Sequence, residues 1–312
     1  LSRLSDYGIE FFHGDIRSAQ DVHDLSPCDL ILDCSAEPSV YAGYSSSPSY
    51  AVGTNLGGTL TLLEAARQWE SVFLLLSSSR VYSISALRGL PLEEGHTRYQ
   101  LNHKERIQGV SEKGISEDFT TCGERSLYGG TKLASEIMAF EYGNIYQFPV
   151  ILNRCGVISG PWQMGKVEQG FLSLWVASHL FGGNLSYMGF EGSGKQVRDI
   201  LHIQDLANLI DKQLITPEKF TGQAWNVGGG VGAGNVSLLE LTSLVREVTG
   251  RSTYIDSITC THPTDIPWYV TDITRIQNAV DWQPVWGIQE IVADVADWLQ
   301  ENRSQVEKFF TS

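Results

Sequence analysis

Ser71-Val72-Phe73-Leu74-Leu75-Leu76-Ser77-Ser78-Ser79-Arg80-Val81-Tyr82 decides how this chain is read. The apolar run leaves neither face polar, so it suits a strand covered on both sides, as in a parallel sheet layered between helices. The serine cluster that ends the run then falls at the carboxyl end of a strand, the edge at which such sheets bind ligands. Serines are also ordinary strand exits. The cluster alone does not make a site.

Three more short apolar runs accompany this one. Ile9-Glu10-Phe11-Phe12 ends at His13-Gly14-Asp15, and Leu30-Ile31-Leu32-Asp33 and Phe148-Pro149-Val150-Ile151-Leu152-Asn153 follow. Between them, 55–68 carries Leu56, Leu60, Leu63 and Ala66 near helical spacing, and 128–146 is amphipathic as well. Strand–helix–strand order at these intervals predicts an α/β fold, a right-handed doubly wound parallel sheet. Residues 83–127 show little periodicity and predict a long surface excursion. Beyond Phe171 come a helix, a polar glycine-rich stretch over 189–195 and a helix over 237–249. That helix opens on a Ser237/Glu240 capping box and closes at Gly250. A last amphipathic helix spans 288–299. No repeat, low-complexity tract or Pro-rich linker intervenes, so any second domain is joined intimately to the first.

A nucleotide-binding sheet of this kind normally opens with a strand running into a GxGxxG turn. Nothing before Ile9 has that form, and Gly228-Gly229-Gly230-Val231-Gly232 lies late and reads as a plain loop. The chain is therefore expected to begin beyond the first βαβ unit of its sheet.

Composition narrows the function. At 312 residues the chain buries about three-quarters of its unfolded surface, so it needs no disulfide or metal staple. Lys plus Arg number 22 against 36 Asp plus Glu, a net charge of −14. That argues against duplex nucleic acid or an anionic membrane as partner, while an anionic small molecule would need a few gathered basic residues. Cys28, Cys34, Cys122, Cys155 and Cys260 include no CxxC pair, which disfavours a disulfide framework or a zinc site, and they are expected to be buried small hydrophobes. No apolar run reaches membrane-spanning length, and LSRLSDYGIE is no signal peptide. These features predict a cytoplasmic protein.

The strongest chemical signal is Tyr128-Gly129-Gly130-Thr131-Lys132. At i and i+4 the two side chains share a helix face, and a nearby ammonium favours phenolate, so the tyrosine can take a hydroxyl proton near neutral pH. Taken alone, the pattern equally describes a surface Tyr–Lys pair. Together with a serine cluster about fifty residues upstream, chance becomes a poor explanation.

At this point the chain resembles a family, the extended short-chain dehydrogenase/reductases that act as NAD-dependent nucleotide-sugar epimerases and dehydratases. The resemblance runs through HGDIR at 13–17, NLGGTLTLLEAAR at 55–67, SSSRVY at 77–82, SLYGGTK at 126–132 and NRCGVISGPWQ at 153–163. It continues in GSGKQVRDILHIQDL at 192–206, WNVGGG at 225–230 and SLLELT at 237–242. Within the family the chain is most similar to CDP-paratose (CDP-tyvelose) 2-epimerases, on Gly160-Pro161-Trp162-Gln163, Glu168-Gln169-Gly170 and Gly194–Asp199.

The resemblance implies a Rossmann-like domain over 1–160, with 197–215 and 225–230 returning to it, and a smaller mixed substrate domain over 161–196 and 231–312. It implies NAD as cofactor, with Asp15 and Ile16 at the adenine and Ser35, Ala36 and Glu37 near pyrophosphate and ribose. Asn55, Ser77 and Arg154 stand on the cofactor side. It makes Tyr128 the base, Lys132 the holder of the nicotinamide ribose and Ser78 the partner of the reacting hydroxyl. It places Ser79, Arg80, Gln163, Lys166, Gln169 and Arg198 toward the nucleotide sugar, and implies a homodimer through helices near 54–69 and 127–143.

Some positions depart from the family pattern. Asp33-Cys34-Ser35-Ala36 stands for His-x-Ala-Ala, and Arg154–Pro161 lacks the usual asparagine and tyrosine. Thr264-Asp265-Ile266-Pro267-Trp268 falls where many relatives carry a diphosphate-binding arginine. The reading that follows is inversion at C2 of a CDP-linked dideoxyhexose. A 4-epimerase, a dehydratase or a non-catalytic binding module of the same fold are the alternatives. Ser79 and Arg80 occupy the places where dehydratases carry an Asp-Glu pair, which disfavours dehydration.

Overall fold

The computed structural model describes residues 4, 6–44, 47–102, 104–166, 169–232 and 234–310. Its main sheet has four parallel strands, β1 (Leu30–Asp33), β2 (Val72–Ser78), β3 (Val150–Cys155) and β7 (Ala224–Val227), side by side in that order. Both faces are covered. Phe73, Leu75, Val150 and Leu152 pack with Leu63 of α1 (Thr59–Trp69) and Ala139 of α2 (Leu127–Tyr146). Leu74, Ile151, Trp225 and Val227 point the other way, onto Leu206 and Leu209 of α4 (Ile203–Ile215). Alternate residues of one strand thus feed two cores, which is why its sequence shows no alternation. Each such side chain contributes about 1.5–3 kcal/mol by leaving water.

One expected strand is not a strand. Ile9–Phe12 is irregular, and Ile9, Phe11 and Phe12 are more than half exposed. An extended segment becomes a strand only by hydrogen bonding to a neighbour, and no strand among the described residues lies beside it. The helix expected from Asn55 begins earlier, with an α-turn over Ser49–Val52 that runs into a π-turn over Gly53–Gly58. Ile16 packs so closely on Gly58 that a Cβ there would lie 2.2 Å from its terminal methyl, so a larger residue would have to push the Ile16 side chain aside.

The excursion over 83–127 is anchored rather than merely superficial. It carries a short helix (Ile84–Arg88) and two small hairpins, and Ile84, Leu87, Leu90, Ile115 and Phe119 are buried against Trp268 and Tyr269. A second sheet centres on β6 (Val197–His202). It runs parallel to β4 (Val157–Ser159) and β10 (Trp268–Tyr269), and antiparallel to β8 (Asn235–Ser237). Separately, β5 (Leu185–Met188) pairs with β9 (Ile255–Ile258). Helices α3 (Phe171–Phe181), α5 (Leu238–Thr249) and α6 (Ile288–Glu301) enclose the largest cluster, around Val176, Val245 and Val295. The Ser237/Glu240 capping box forms in both directions, and Gly250 closes α5 at φ 64. His202 bonds Asp294 and stacks on Trp286, while Asp205 accepts the Val285 and Trp286 amides, so both fix chain packing. Among the described residues no helix is long and apolar enough to cross a membrane.

Candidate active site

A cavity of about 660 Å³ opens at the carboxyl ends of β1, β2 and β3. Ala36, Ser78, Tyr128 and Lys132 line its sheet side, and Gln169, Arg198 and Asp265 its far wall. Parallel register sets Ser77 beside Arg154 and Ser78 beside Cys155, so β2 and β3 deliver their ends together. Helix α2 starts at the cap Ser126, whose hydroxyl accepts the Gly129 amide, and carries Tyr128 and Lys132 on one face against those ends. A Cβ on Gly129 would lie 2.1 Å from the Arg80 carbonyl. Only glycine lets the helix approach the loop this closely.

Tyr128 is half-buried on the cavity wall. Loss of water raises its pKa, the Ser78 hydroxyl pulls it down, and the Arg80 charge pulls in the same direction. Lys132 is buried, with Nζ donating to the Leu76 carbonyl at 3.1 Å and to the Ser35 carbonyl at 3.3 Å. Burial lowers its pKa, and Asp33 is the strongest of the groups that oppose this. An ammonium has three donors, so one remains for a ligand. That spare donor, with Ala36 and Gly156 nearby on the cavity surface, fits a nicotinamide ribose. Among the described residues no glycine-rich strand-to-helix turn meets this wall.

The other expected cofactor-side residues build the frame. Asn55 is fully buried; its Oδ1 accepts the Glu37 amide at 2.6 Å and its Nδ2 donates to Thr131 at 3.0 Å, tying the loop after β1 to α2. Ser35 bonds Asp33, whose other oxygen accepts Thr59. Ser77 donates to Glu136, and Arg154 forms a buried ion pair with Glu136 at 2.7 Å. The Arg154 side chain is thereby committed, while the residues that follow it, Cys155 to Ile158, line the cavity. Asp15 pairs with Arg17, and neither Asp15 nor Ile16 lines the cavity.

On the far wall, Arg198 pairs with Asp265 at 2.9 Å and donates to the Ile266 carbonyl. Burial pushes its pKa down to about 10, against the pull of Asp265. Gln163 lines the cavity but is engaged with the Ile158 carbonyl and the Ser159 and Ser173 hydroxyls. Gln169 lines it too, whereas Lys166 is exposed and meets Gln169 through the backbone. Glu168 lies outside the described residues. Ser79 and Arg80 both face the cavity.

The cysteines depart from expectation. Only Cys155 is buried; Cys28, Cys34, Cys122 and Cys260 are exposed, and all five are free. Cys34 and Cys155 also line the cavity, a placement set by the ends of β1 and β3 rather than by packing preference. Sequence reasoning missed Glu136 as well. Its signal was its place one turn beyond Lys132 on the same helix face.

A family model described as the NAD dependent epimerase/dehydratase family matches residues 2–228. A CDP-paratose 2-epimerase from Salmonella typhi is 30% identical over 302 residues, covering 96% of this chain and 86% of that protein. A dTDP-glucose 4,6-dehydratase from Escherichia coli is 24% identical over 89% of this chain and 74% of its own length. Solved structures share the fold. A Bacillus anthracis dTDP-glucose 4,6-dehydratase in complex with NAD superposes with TM-score 0.74 at 21% identity, over 99% of this chain and 86% of that one. A Thermotoga maritima UDP-glucose 4-epimerase with UDP-glucose gives TM-score 0.74 at 17% identity, over 95% and 86%. With the buried lysine and its tyrosine at the strand ends, these matches make the chain an NAD-using enzyme that belongs to the NAD-dependent epimerase/dehydratase family.

Proposed function

We propose that the chain is a nucleotide-sugar epimerase that inverts C2 of a CDP-linked dideoxyhexose through a transient keto-sugar. The observation that carries this is the meeting of Ser78, Tyr128 and Lys132 at one cavity, with Ser79 and Arg80 next along the wall. Elimination of water needs an acid and a base beside the sugar, and those two positions offer neither carboxylate. The likeness to the Salmonella typhi protein supports the choice of C2 and of a CDP-linked substrate.

Lys132, with Ala36 and Gly156 beside it, would hold NAD, which would supply the hydride acceptor and donor that inversion through a keto-sugar requires. Tyr128 takes the hydroxyl proton as the carbonyl forms and restores it when the carbonyl is reduced. Ser78 orients that hydroxyl, and Lys132 holds the ribose with its spare donor. Arg198, Ser79, Arg80, Gln163, Lys166 and Gln169 belong to the sugar-nucleotide side, with Arg198 facing a phosphate. Asp15, Ile16, Ser35, Ala36, Glu37, Asn55, Ser77 and Arg154 belong to the cofactor side, the last two by shaping it through Glu136. The cofactor domain spans 1–160 with 197–215 and 225–230, and the remainder is mainly the substrate domain.

The test is incubation with NAD and CDP-paratose in deuterated water, followed by NMR. The expected product is the C2 epimer without solvent deuterium at C2, because the hydride is kept. In a parallel incubation with CDP-glucose, which keeps its C6 hydroxyl, loss of water with solvent deuterium incorporated would replace this reading with dehydration, and inversion at C4 of either sugar would replace it with 4-epimerisation. The protein belongs in the cytoplasm as a homodimer, α1 and α2 meeting their copies in a four-helix bundle. Leu133 and Phe140 pack within their own chain, but Ile137, Ile145 and Tyr146 of α2 stand exposed. Ile137→Glu is expected to yield a monomer by sedimentation; a wild-type monomer at micromolar concentration would refute the dimer.

A further inference from the structure

Asp33 ends β1, just before Cys34 and Ala36, which face the cavity. Asp33 does not line the cavity itself, and it is buried. A buried carboxylate is costly unless its oxygens are met by donors. Here one oxygen accepts the Ser35 amide at 2.9 Å and the Ser35 hydroxyl, and the other accepts the Thr59 hydroxyl at 2.8 Å. Among the described residues no Lys or Arg forms an ion pair with it.

Ser35 carries this arrangement to Lys132. Its amide and hydroxyl bond Asp33, while its carbonyl accepts Lys132 Nζ at 3.3 Å. The sheet repeats the connection from the other side. Parallel register sets Asp33 beside Leu75, and Lys132 Nζ takes the carbonyl of the next residue, Leu76, at 3.1 Å. Two routes thus hold the ammonium close to the carboxylate, with no direct bond between them.

The other titratable groups around Lys132 leave Asp33 as the one negative charge not already paired with a cation. On its own helix, Glu136 is spent on Arg154, and Tyr128 is a phenol whose pKa burial raises. From the end of β3 comes the Cys155 thiol, which burial pushes up to about 12, and from the end of β1 the Cys34 thiol, raised by the same cause. Both stay neutral at physiological pH. Burial pulls the Lys132 pKa down, and Asp33 is first among the groups that hold it up.

We propose that Asp33 is a positioning residue for Lys132: through Ser35 it fixes a carbonyl that aims the ammonium, and its charge keeps that ammonium protonated at the cavity. This rests on the role given to Lys132 above, and not on which sugar is inverted. The family pattern places a histidine at this position, so the carboxylate is a feature of this chain rather than of the fold.

Asp33→Asn isolates the charge. The amide oxygen can accept from Ser35, and the amide nitrogen can donate to the Thr59 hydroxyl, which keeps its own bond to the Asn55 carbonyl. The test is carbon NMR titration of Lys132 on protein labelled at the lysine ε-carbon, the signal identified with Lys132→Met. A Cys34→Ala background removes the thiol that would titrate in the same range. Neither cofactor nor substrate is needed. Asp33→Asn is expected to lower the midpoint by about one unit, the small end of what a close opposite charge supplies. That is about tenfold less ammonium relative to amine at a given pH. Asp33→His, neutral in this pH range, serves if the Asn variant does not fold. Ser35→Ala keeps both the carboxylate and the Ser35 carbonyl, so its midpoint should stay near wild type. An unmoved midpoint in the neutral Asp33 variants would overturn the proposal. A fall as large in Ser35→Ala would also overturn it, by assigning the effect to loop geometry. A lowered midpoint in Asp33→Asn together with wild-type NAD affinity in Lys132→Met would leave the hold of Asp33 standing and sink the ribose role instead.

Discussion

Lys132 and Arg154 are both cations buried under the same helix, and the protein treats them oppositely. Arg154 lies in a closed network: Glu136 accepts from its Nε and Nη2, the Tyr82 ring lies 5.2 Å from the guanidinium carbon, and Ser77 joins through Glu136. Lys132 receives only backbone carbonyls and keeps a donor unspent. A fully paired buried ion is architecture, since its charge is already answered. A buried ion left without a bonded counter-ion is costly to keep, and it is found where a ligand can use it.

The largest effect that separates the two should come from Glu136→Ala. Removing one partner of a buried pair leaves the other charge unanswered, a loss of about 3–5 kcal/mol. Urea unfolding should show the midpoint falling with the slope unchanged. Lys132→Met removes a charge that has no bonded counter-ion, so stability should hold or rise. An equal loss in both variants would break the contrast between frame and function.

Activity should divide the other way. Tyr128→Phe deletes the hydroxyl proposed to transfer the proton and should cost roughly 10²–10⁴ in kcat, with sugar-nucleotide affinity retained by calorimetry. Lys132→Met should cost as much, with weakened NAD binding in addition. Ser78→Ala loses one orienting hydrogen bond of about 1 kcal/mol, so about a fivefold fall in kcat is expected. A Ser78→Ala loss as large as that of Tyr128→Phe would make the serine a participant in proton transfer.

How much of this was legible in the sequence depends on what each residue answers to. The strands β2 and β3 were legible because burial on two faces writes itself as an unbroken apolar run, and the edge strand β1 reads the same way although its Leu32 stays exposed. Ile9–Phe12 has the same composition and fails, because pairing depends on a neighbour that a local window does not contain. That Tyr128 and Lys132 share a helix face and that a serine cluster ends β2 was legible from helical spacing and a strand end, and the structure brings both to one cavity. The Ser77–Glu136–Arg154 network was not, since it depends on the register that sets Ser77 beside Arg154, and register is a property of two strands. Cys34 was misjudged for a related reason: as a residue type it favours the interior, but the end of β1 places it at the cavity.

The smallest effect concerns pH and sharpens the same comparison. Burial depresses the pKa of Lys132, so between its folded value and the unfolded reference of about 10.4 the unfolded chain binds the extra proton. Stability rises with pH wherever the unfolded state holds more protons. The penalty for burying the ammonium is therefore in full force below the folded pKa, and it is relieved as pH climbs toward the unfolded value. Arg154 moves in the other direction, raised by Glu136 beyond any accessible range, and contributes no slope there. Wild-type protein should gain stability against urea on the alkaline side relative to Lys132→Met, whose curve lacks this contribution. Parallel curves for the two proteins would mean that the Lys132 ammonium is as well compensated as the Arg154 guanidinium, and the distinction between a spent and an unspent buried charge would fall.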